Sequence, residues 1–190
     1  MAEPHRRAET AHVLRTATGW GVPTLGTITE GAIEGGDIVT VRPGTIAIGW
    51  SGARSTLAGA TALARFYEGH GWTALLVPIE PRYLHLDTLF TMLDSRRAVG
   101  CIEALDPAFI QRIEQLGIEL VPVTISEVEG LGANLVSLGA GRILSPAGND
   151  RVNALLRRRG YEVTEVAIDQ FVRCGGGLHC LTMPLARRPA

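Results

Sequence analysis

The sequence predicts an α/β fold built from repeated units, in each of which two strands, a helix and a further strand follow one another. Short apolar runs bounded by turn residues alternate with longer stretches of helical spacing, and this order returns twice at intervals of roughly fifty residues. The 190 residues, 46% of them hydrophobic, suffice for one sizeable core. No linker or low-complexity stretch separates the copies, so we expect a single domain over residues 1–190.

The chain opens with a helix predicted over residues 5–18, which Gly19 and Gly21 end, and a strand predicted over residues 22–28. The strands of the three units are predicted at 37–41, 46–50 and 73–79, at 86–92, 98–102 and 118–123, and at 135–138, 142–144 and 161–166. The helices that connect them are predicted at 55–67, 107–116 and 150–159. A glycine follows each helix and returns the chain to an apolar strand: Gly69, Gly117 and Gly160.

The charge balance and the cysteine usage exclude several classes of protein. The 18 Lys and Arg residues nearly cancel the 19 Asp and Glu residues, so we expect no nucleic-acid partner and no anionic membrane surface. No apolar run reaches membrane-spanning length, and no hydrophobic region follows the first charged residues, so we expect neither a membrane span nor a signal peptide. Three cysteines without an export signal indicate the reducing cytoplasm. The absence of a Cys-x-x-Cys pair argues against a metal site.

The C-terminal segment from Cys174 to Cys180 reads Cys-Gly-Gly-Gly-Leu-His-Cys and carries the strongest chemical signal. Consecutive glycines remove every Cβ beside a thiol, so that backbone and ligand can approach the sulfur closely. Cysteine is the strongest ordinary side-chain nucleophile once it is a thiolate. The alternative is a small buried cysteine in a strand, which the run of glycines does not explain. We predict that Cys101 is a core residue and that Cys174 lines the loop.

Two segments upstream contain the residue types that such a thiol needs to act on a guanidinium group. They are Glu34-Gly-Gly-Asp37 and His85-Leu-Asp87. Carboxylates can clamp the planar, cationic guanidinium, sulfur can attack its central carbon, and a histidine can protonate the departing amine. Each motif by itself would fit turn acids or an ordinary surface or core histidine. His179 is ambiguous, because strand alternation beside Cys180 would point it to the opposite face.

Four stretches in the same order resemble the guanidino-group modifying enzymes, a superfamily of arginine deiminases, dimethylarginine dimethylaminohydrolases and amidinotransferases. They are residues 34–37, 48–51, 85–94 and 175–184, and the last two look most like arginine deiminase. The resemblance implies a pentein-type α/β propeller of five ββαβ units about a pseudo-fivefold axis. This chain matches about three full units with partial ends, so it is expected to be N-terminally truncated relative to the family and to turn over poorly alone.

The resemblance also implies roles for individual residues. It makes Cys180 the nucleophile, His85 the general acid and base, and Glu34 the acid beside that histidine. The remaining residues that it places in the substrate-binding set are Asp87, as a direct guanidinium carboxylate, Arg54, as the partner of a substrate α-carboxylate, Asp37, Gly177 and His179. His179 stands where arginine deiminases often have arginine, which leaves guanidines other than free arginine open.

We therefore expect a cytoplasmic hydrolase acting on arginine, methylated arginine or a similar small guanidine through a covalent thiouronium intermediate on Cys180. No metal or organic cofactor is implied. An amidinotransferase, which resolves the same intermediate with an amine, stays open. So do a truncated, non-catalytic arginine-binding relative and a homo-oligomer.

Overall fold

The computed structural model describes residues 4–184 and contains three mixed three-stranded sheets, each with its strands in sequence order. The first sheet comprises β1 (Ile38–Arg42), β2 (Thr45–Trp50) and β3 (Thr73–Pro78). The second comprises β4 (Phe90–Met92), β5 (Arg97–Gly100) and β6 (Glu119–Pro122). The third comprises β7 (Val136–Gly139), β8 (Arg142–Pro146) and β9 (Glu162–Val166). The helices are α1 (Arg7–Gly19), α2 (Leu57–Glu68), α3 (Pro107–Gln115), α4 (Ile125–Glu129) and α5 (Asp150–Arg158).

The three sheets have one topology, which confirms the predicted ββαβ repeat. In every sheet the first two strands are antiparallel, and the second is parallel to the third. The helix between the second and third strands makes the crossover that a parallel pair requires: α2, α3 and α5 in turn. The N-terminal helix α1 is also confirmed, one or two residues from its predicted ends.

The strand predicted over residues 22–28 is wrong, because this segment contains no strand and its apolar Leu25 is 74% exposed. Pro23 cannot donate a ladder hydrogen bond, and no neighbouring strand pairs with this segment in the described part of the chain. The strand predicted over residues 86–92 is wrong in its first half, where Leu86–Thr88 forms a 3-10 turn and only Phe90–Met92 is a strand. The Thr88 hydroxyl donates to the carbonyls of Tyr83 and His85, and these local bonds compete with sheet formation.

The helix α4 was not predicted, although its N-terminus has a recognisable capping box. The Thr124 hydroxyl accepts from the Glu127 amide, and the Glu127 carboxylate accepts from the Thr124 amide. The helix is only five residues long, too short to produce a periodic apolar pattern.

The main core cluster lies between the units and takes residues from all three sheets. It includes Val39 and Ala47 of the first sheet, Phe90 and Val99 of the second and Ile143 of the third, together with α5 residues Val152 and Leu156. A smaller cluster lies between β2 and α2 in the first unit and comprises Ile46, Ile48, Ala60, Leu63 and Ala64. None of the helices in the described residues has the length and apolar character needed to cross a membrane.

Candidate active site

A cavity of about 980 Å³ brings together residues from the first unit, the second unit and the C-terminal loop. Glu34 immediately precedes the 3-10 turn Gly35–Asp37 that leads into β1, and His85 immediately precedes the turn Leu86–Thr88 that leads toward β4. The two residues therefore occupy the same position in successive repeats. Both line the cavity together with Asp87, His179 and Cys180.

The His85 imidazole is paired with the Glu34 carboxylate, the arrangement that the family resemblance implies. His85 Nε2 lies 3.0 Å from Glu34 Oε2. The same oxygen accepts from Arg54 Nε at 3.1 Å and Arg54 Nη2 at 2.9 Å. The side chain of Glu34 is only 5% exposed, and its other oxygen, Oε1, is buried without a hydrogen-bond partner in the described structure. One oxygen is thus occupied by Arg54 and His85, and the other is left for a donor from the cavity.

The backbone presents His85 through a tight turn centred on Leu84. Leu84 has φ 62° and ψ −59°, and the His85 amide donates to the Tyr83 carbonyl at 2.7 Å. This is a γ-turn of the rare, strained kind, and a leucine at positive φ is uncommon. Gly36 packs directly against the imidazole: a Cβ at this position would lie only 2.8 Å from His85 Cγ. The turn and the glycine together determine where the imidazole points.

The Asp87 carboxylate lies beside the thiol of Cys180. Cys180 Sγ is 3.3 Å from Asp87 Oδ2, and His179 Nδ1 is 2.9 Å from the same oxygen. The Asp87 side chain is only 1% exposed, and its Oδ1 is buried without a partner in the part of the chain that the structure describes. His179 and Cys180 both face Asp87 because they lie in a turn, where the alternation expected for a strand does not apply.

The surroundings shift the pKa values of the thiol and of Glu34 in opposite directions. Cys180 is exposed as a whole residue, but its sulfur is packed in the cavity wall; burial of the thiol raises its pKa, and the Asp87 charge raises it further. Burial would also raise the pKa of Glu34, but hydrogen bonds from Arg54 and His85 outweigh it and lower that pKa. At Cys180 both burial and the Asp87 charge disfavour the thiolate, and a bound cation would favour it.

Asp37 and Gly177, both predicted to bind substrate, lie behind the cavity wall. Asp37 is fully buried, and its Oδ1 accepts from the Leu86 amide at 2.8 Å. Gly49 of β2 makes room for it, because a Cβ there would lie 2.6 Å from Asp37 Oδ1. Neither Asp37 nor Gly177 is among the described residues that line the cavity. This geometry supports a positioning role for Asp37, and its contact with substrate stays a prediction.

Asn134 is a site residue that the sequence analysis missed. It is fully buried, and its Nδ2 donates to Cys180 Sγ at 3.1 Å. The signal available was one amide side chain inside the apolar stretch 131–136, an arrangement that needs buried hydrogen-bond partners. The prediction that Cys101 belongs to the core is confirmed. The predicted position of the Cys174 side chain lies outside what the structure describes.

The three ββαβ units and the cavity with cysteine, histidine and carboxylates define a member of the guanidino-group modifying superfamily with the pentein-type propeller fold. Within it the chain belongs to the arginine deiminase family, whose profile matches residues 15–107 and 101–187. An arginine deiminase of Mycobacterium avium (strain 104) is 33% identical in an alignment 189 positions long, which covers 83% of this chain and 47% of that protein. The uncharacterized protein YkgA of Bacillus subtilis (strain 168) is 29% identical over 188 residues, 98% of this chain and 63% of that protein.

Among solved structures, the complex of dimethylarginine dimethylaminohydrolase from Pseudomonas aeruginosa with citrulline is similar to this chain. It superposes with a TM-score of 0.73 at 26% identity, over 95% of this chain and 67% of that one. The chain spans 63% and 47% of the length of the two curated relatives. The likeness therefore concerns the part of those proteins that corresponds to this chain.

Proposed function

We propose that this chain acts as a cysteine-dependent hydrolase on the guanidinium group of arginine or an arginine derivative, with residues 1–190 as one catalytic domain. The observation that carries the proposal is the shared cavity. Cys180 Sγ lies 3.3 Å from the Asp87 carboxylate, and the paired His85 and Glu34 line the same space. The curated arginine deiminase relative and the dimethylarginine dimethylaminohydrolase complex with citrulline support a small guanidine as the substrate.

Two buried carboxylate oxygens without partners belong to residues that line the cavity, and they support the binding of a planar cation. These oxygens are Glu34 Oε1 and Asp87 Oδ1, both on side chains at most 5% exposed. A third, Asp37 Oδ2, lies behind the cavity wall. A guanidinium carries five N–H donors in one plane and can satisfy both carboxylates at once. The energetic cost of leaving these oxygens unpaired then favours a ligand with donors and positive charge.

The first half of the proposed reaction forms a covalent adduct. The bound cation compensates the Asp87 charge that raises the pKa of the Cys180 thiol, so the thiol releases its proton to solvent and becomes a thiolate. Its sulfur forms a bond to the guanidinium carbon and gives a tetrahedral adduct. The bond from that carbon to one nitrogen breaks, and His85 supplies the proton with which ammonia or an amine leaves. The product of this step is a thiouronium ester on Cys180.

The second half releases the product by hydrolysis. His85, now neutral, takes a proton from a water molecule, and the water oxygen bonds to the thiouronium carbon. The hydroxyl proton of this adduct passes to sulfur as the carbon–sulfur bond breaks, so Cys180 leaves as a thiol and a ureido product such as citrulline forms. The Glu34 carboxylate accepts a hydrogen bond from the imidazole, which holds His85 in place and stabilises its protonated form between the two steps. Arg54 is paired with Glu34, and its predicted contact with a substrate α-carboxylate stays a prediction.

The proposal can be tested with a matched pair of alkylating agents that differ only in charge. Chloroacetamidine is cationic and chloroacetamide is neutral; either can transfer its CH₂ carbon to a thiolate with loss of chloride. After normalisation to free glutathione, we expect Cys180 to prefer the cationic reagent about tenfold, which corresponds to about 1.4 kcal/mol of attraction to the carboxylates. Intact-mass analysis gives the rates. Asp87→Asn should abolish this preference, even though loss of the negative charge makes the thiol more reactive toward both reagents.

A turnover assay separates the hydrolase from its alternatives. Citrulline should form without any added amine, together with ammonia from arginine or a methylamine from methylated arginine, and Cys180→Ser should abolish this activity. That substitution should change the free energy of unfolding by only about 0.5 kcal/mol, because Cys180 is exposed and serine has a similar shape. Turnover only with an amine acceptor would identify an amidinotransferase instead. Arginine binding by folded protein whose Cys180 shows no preference for the amidine would identify a non-catalytic relative.

A further inference from the structure

We infer that Asn134 is the positioning residue for Cys180: it fixes the glycine loop to the second unit and stabilises the thiolate form of the sulfur. This inference rests on the proposed function, in which Cys180 is the nucleophile. Asn134 lies between α4 and β7, outside every motif that suggested the site from sequence. Three further observations support it: a complete set of hydrogen bonds, a close approach to one glycine, and the electrostatics of the sulfur.

The side-chain amide of Asn134 uses every hydrogen bond available to it. Its Nδ2 donates to Cys180 Sγ at 3.1 Å and to the Asp87 carbonyl at 3.2 Å. Its Oδ1 accepts from the amides of His179 at 3.0 Å and Cys180 at 3.4 Å. The orientation of the amide is determined by these partners, since the reverse orientation would bring an NH₂ group against two N–H donors. Asn134 is fully buried, so no water competes for these bonds.

These bonds join two parts of the chain that must keep a fixed distance for the proposed reaction. The Asp87 carbonyl belongs to the turn that carries the predicted guanidinium carboxylate, and the amides of His179 and Cys180 belong to the loop that carries the thiol. One rigid amide therefore sets the sulfur relative to Asp87. In the proposed reaction the Asp87 carboxylate holds the guanidinium group whose central carbon the sulfur attacks. The approach of sulfur to that carbon depends on this distance.

One glycine of the run, Gly177, is explained by the same amide. A Cβ on Gly177 would lie 2.3 Å from Asn134 Oδ1, a contact that no other side chain at position 177 could avoid. A Cβ on Gly176 would meet only Leu181 Cδ2, at 4.0 Å. Gly175 has a φ of +84°, a backbone conformation that favours glycine over other residues at that position. Gly177 is thus required by its packing against Asn134 and not by contact with the cavity.

The amide also offsets part of the electrostatic cost of a thiolate at this place. Burial and the Asp87 charge raise the pKa of Cys180, whereas hydrogen bonds from the Gly177 backbone and from Asn134 lower it. A donor that points at sulfur binds the thiolate more strongly than the thiol. Removal of the Asn134 donor should therefore leave Cys180 less reactive at neutral pH.

The direct test measures the pH dependence of Cys180 alkylation by iodoacetamide in the folded protein, with peptide mass spectrometry to assign the site. For Asn134→Ala we expect the midpoint to rise by about one pH unit, the shift that the loss of one hydrogen bond to a charged group produces. An unchanged midpoint in a folded variant would overturn the inference. Asn153→Ala is the control, because Asn153 is equally buried but bonds only Ser145 and the Pro146 carbonyl. It should cost stability without moving the midpoint.

A second pair of variants tests the packing without altering Asn134. Gly177→Ala should raise the alkylation midpoint in the same direction, because its Cβ displaces the amide, whereas Gly176→Ala should leave it unchanged. Both glycines lie in the terminal loop, outside the helices and strands, so these variants give a test that does not depend on the stability of Asn134→Ala. Equal effects of the two alanines, or no effect of either, would refute the inference. Iodoacetamide carries no guanidine-like cation, so failure of this test is distinct from failure of the amidine preference that tests the proposed function.

Discussion

At the scale of single residues, acids that are close in sequence take different positions. Glu34 and Asp37 are separated by two glycines, yet Glu34 lines the cavity and pairs with His85, whereas Asp37 is buried behind it and holds the Leu86 amide. Their pKa values move apart accordingly. Hydrogen bonds to Arg54 and His85 outweigh burial at Glu34 and lower its pKa, while burial raises that of Asp37. Glu34 is thus the acid that stays ionised beside the imidazole.

The two glycines between these acids give a matched test of the His85 position. Gly36→Ala places a Cβ 2.8 Å from His85 Cγ, so the imidazole must move, whereas Gly35→Ala meets nothing within 4 Å. A displacement of about 1 Å at a catalytic group can cost about a hundredfold in rate, and we expect a loss of that size in the turnover of arginine for Gly36→Ala alone. Far-UV circular dichroism should show both variants folded. Similar turnover in both would argue against His85 as the acid and base.

At the scale of elements, the repeat explains where the site residues lie. Each of the first two units begins with a 3-10 turn, and the residues before these turns, Glu34 and His85, meet in the cavity. In the connection from the second unit to the third, α4 is followed within a few residues by Asn134. The short helix is held by its capping box and by an ion pair between Glu127 and Arg151 of α5. It therefore links the segment that contains Asn134 to the third unit.

The ion pair of α4 makes a pH-dependent contribution to stability. The Arg151 guanidinium lowers the pKa of Glu127 from 4.5 to about 2. Because the folded-state pKa is depressed, the stabilisation is fully present above about 4.5 and is lost as the pH falls through about 2. Solvent screening limits it, so Glu127→Gln should lower the free energy of unfolding at neutral pH by about 1 kcal/mol.

Urea denaturation at a series of pH values measures this effect, and the difference from the unmodified chain should shrink as the pH is lowered toward 2. Glu129→Gln is the control, because Glu129 is exposed on the same helix and should show a difference near zero. A difference for Glu127→Gln that stayed constant with pH would mean that packing, and not charge, accounts for the contribution.

At the scale of the whole molecule, the units are coupled by one main core. That cluster contains buried residues from every sheet, among them Val39, Phe90 and Ile143. The second cluster belongs to the first unit alone, and Trp50 and Trp72 pack against it. An isolated ββαβ unit would leave its apolar inner face exposed to water. The units therefore stabilise one another by packing together.

This coupling predicts a single cooperative unfolding transition. All three tryptophans lie at positions 20, 50 and 72, so fluorescence reports on the first unit and its N-terminal extension, whereas far-UV circular dichroism reports on all units. The two urea transitions should have the same midpoint and slope, as expected for two-state unfolding. A fluorescence midpoint clearly below that of circular dichroism would show that the first unit unfolds separately.

The sequence by itself determined the ββαβ repeat, the helix ends and the order of the site motifs, because apolar periodicity, glycine stops and short motifs are local properties of the chain. Tertiary structure decided which of the predicted residues face the cavity: it turned Glu34 inward and Asp37 away, and it left residues 22–28 without a strand partner. It also brought Asn134 to a sulfur 46 positions along the chain, and Asp87 to the same sulfur across 93 positions. Contacts of this range depend on how the units pack against one another, which no local pattern encodes.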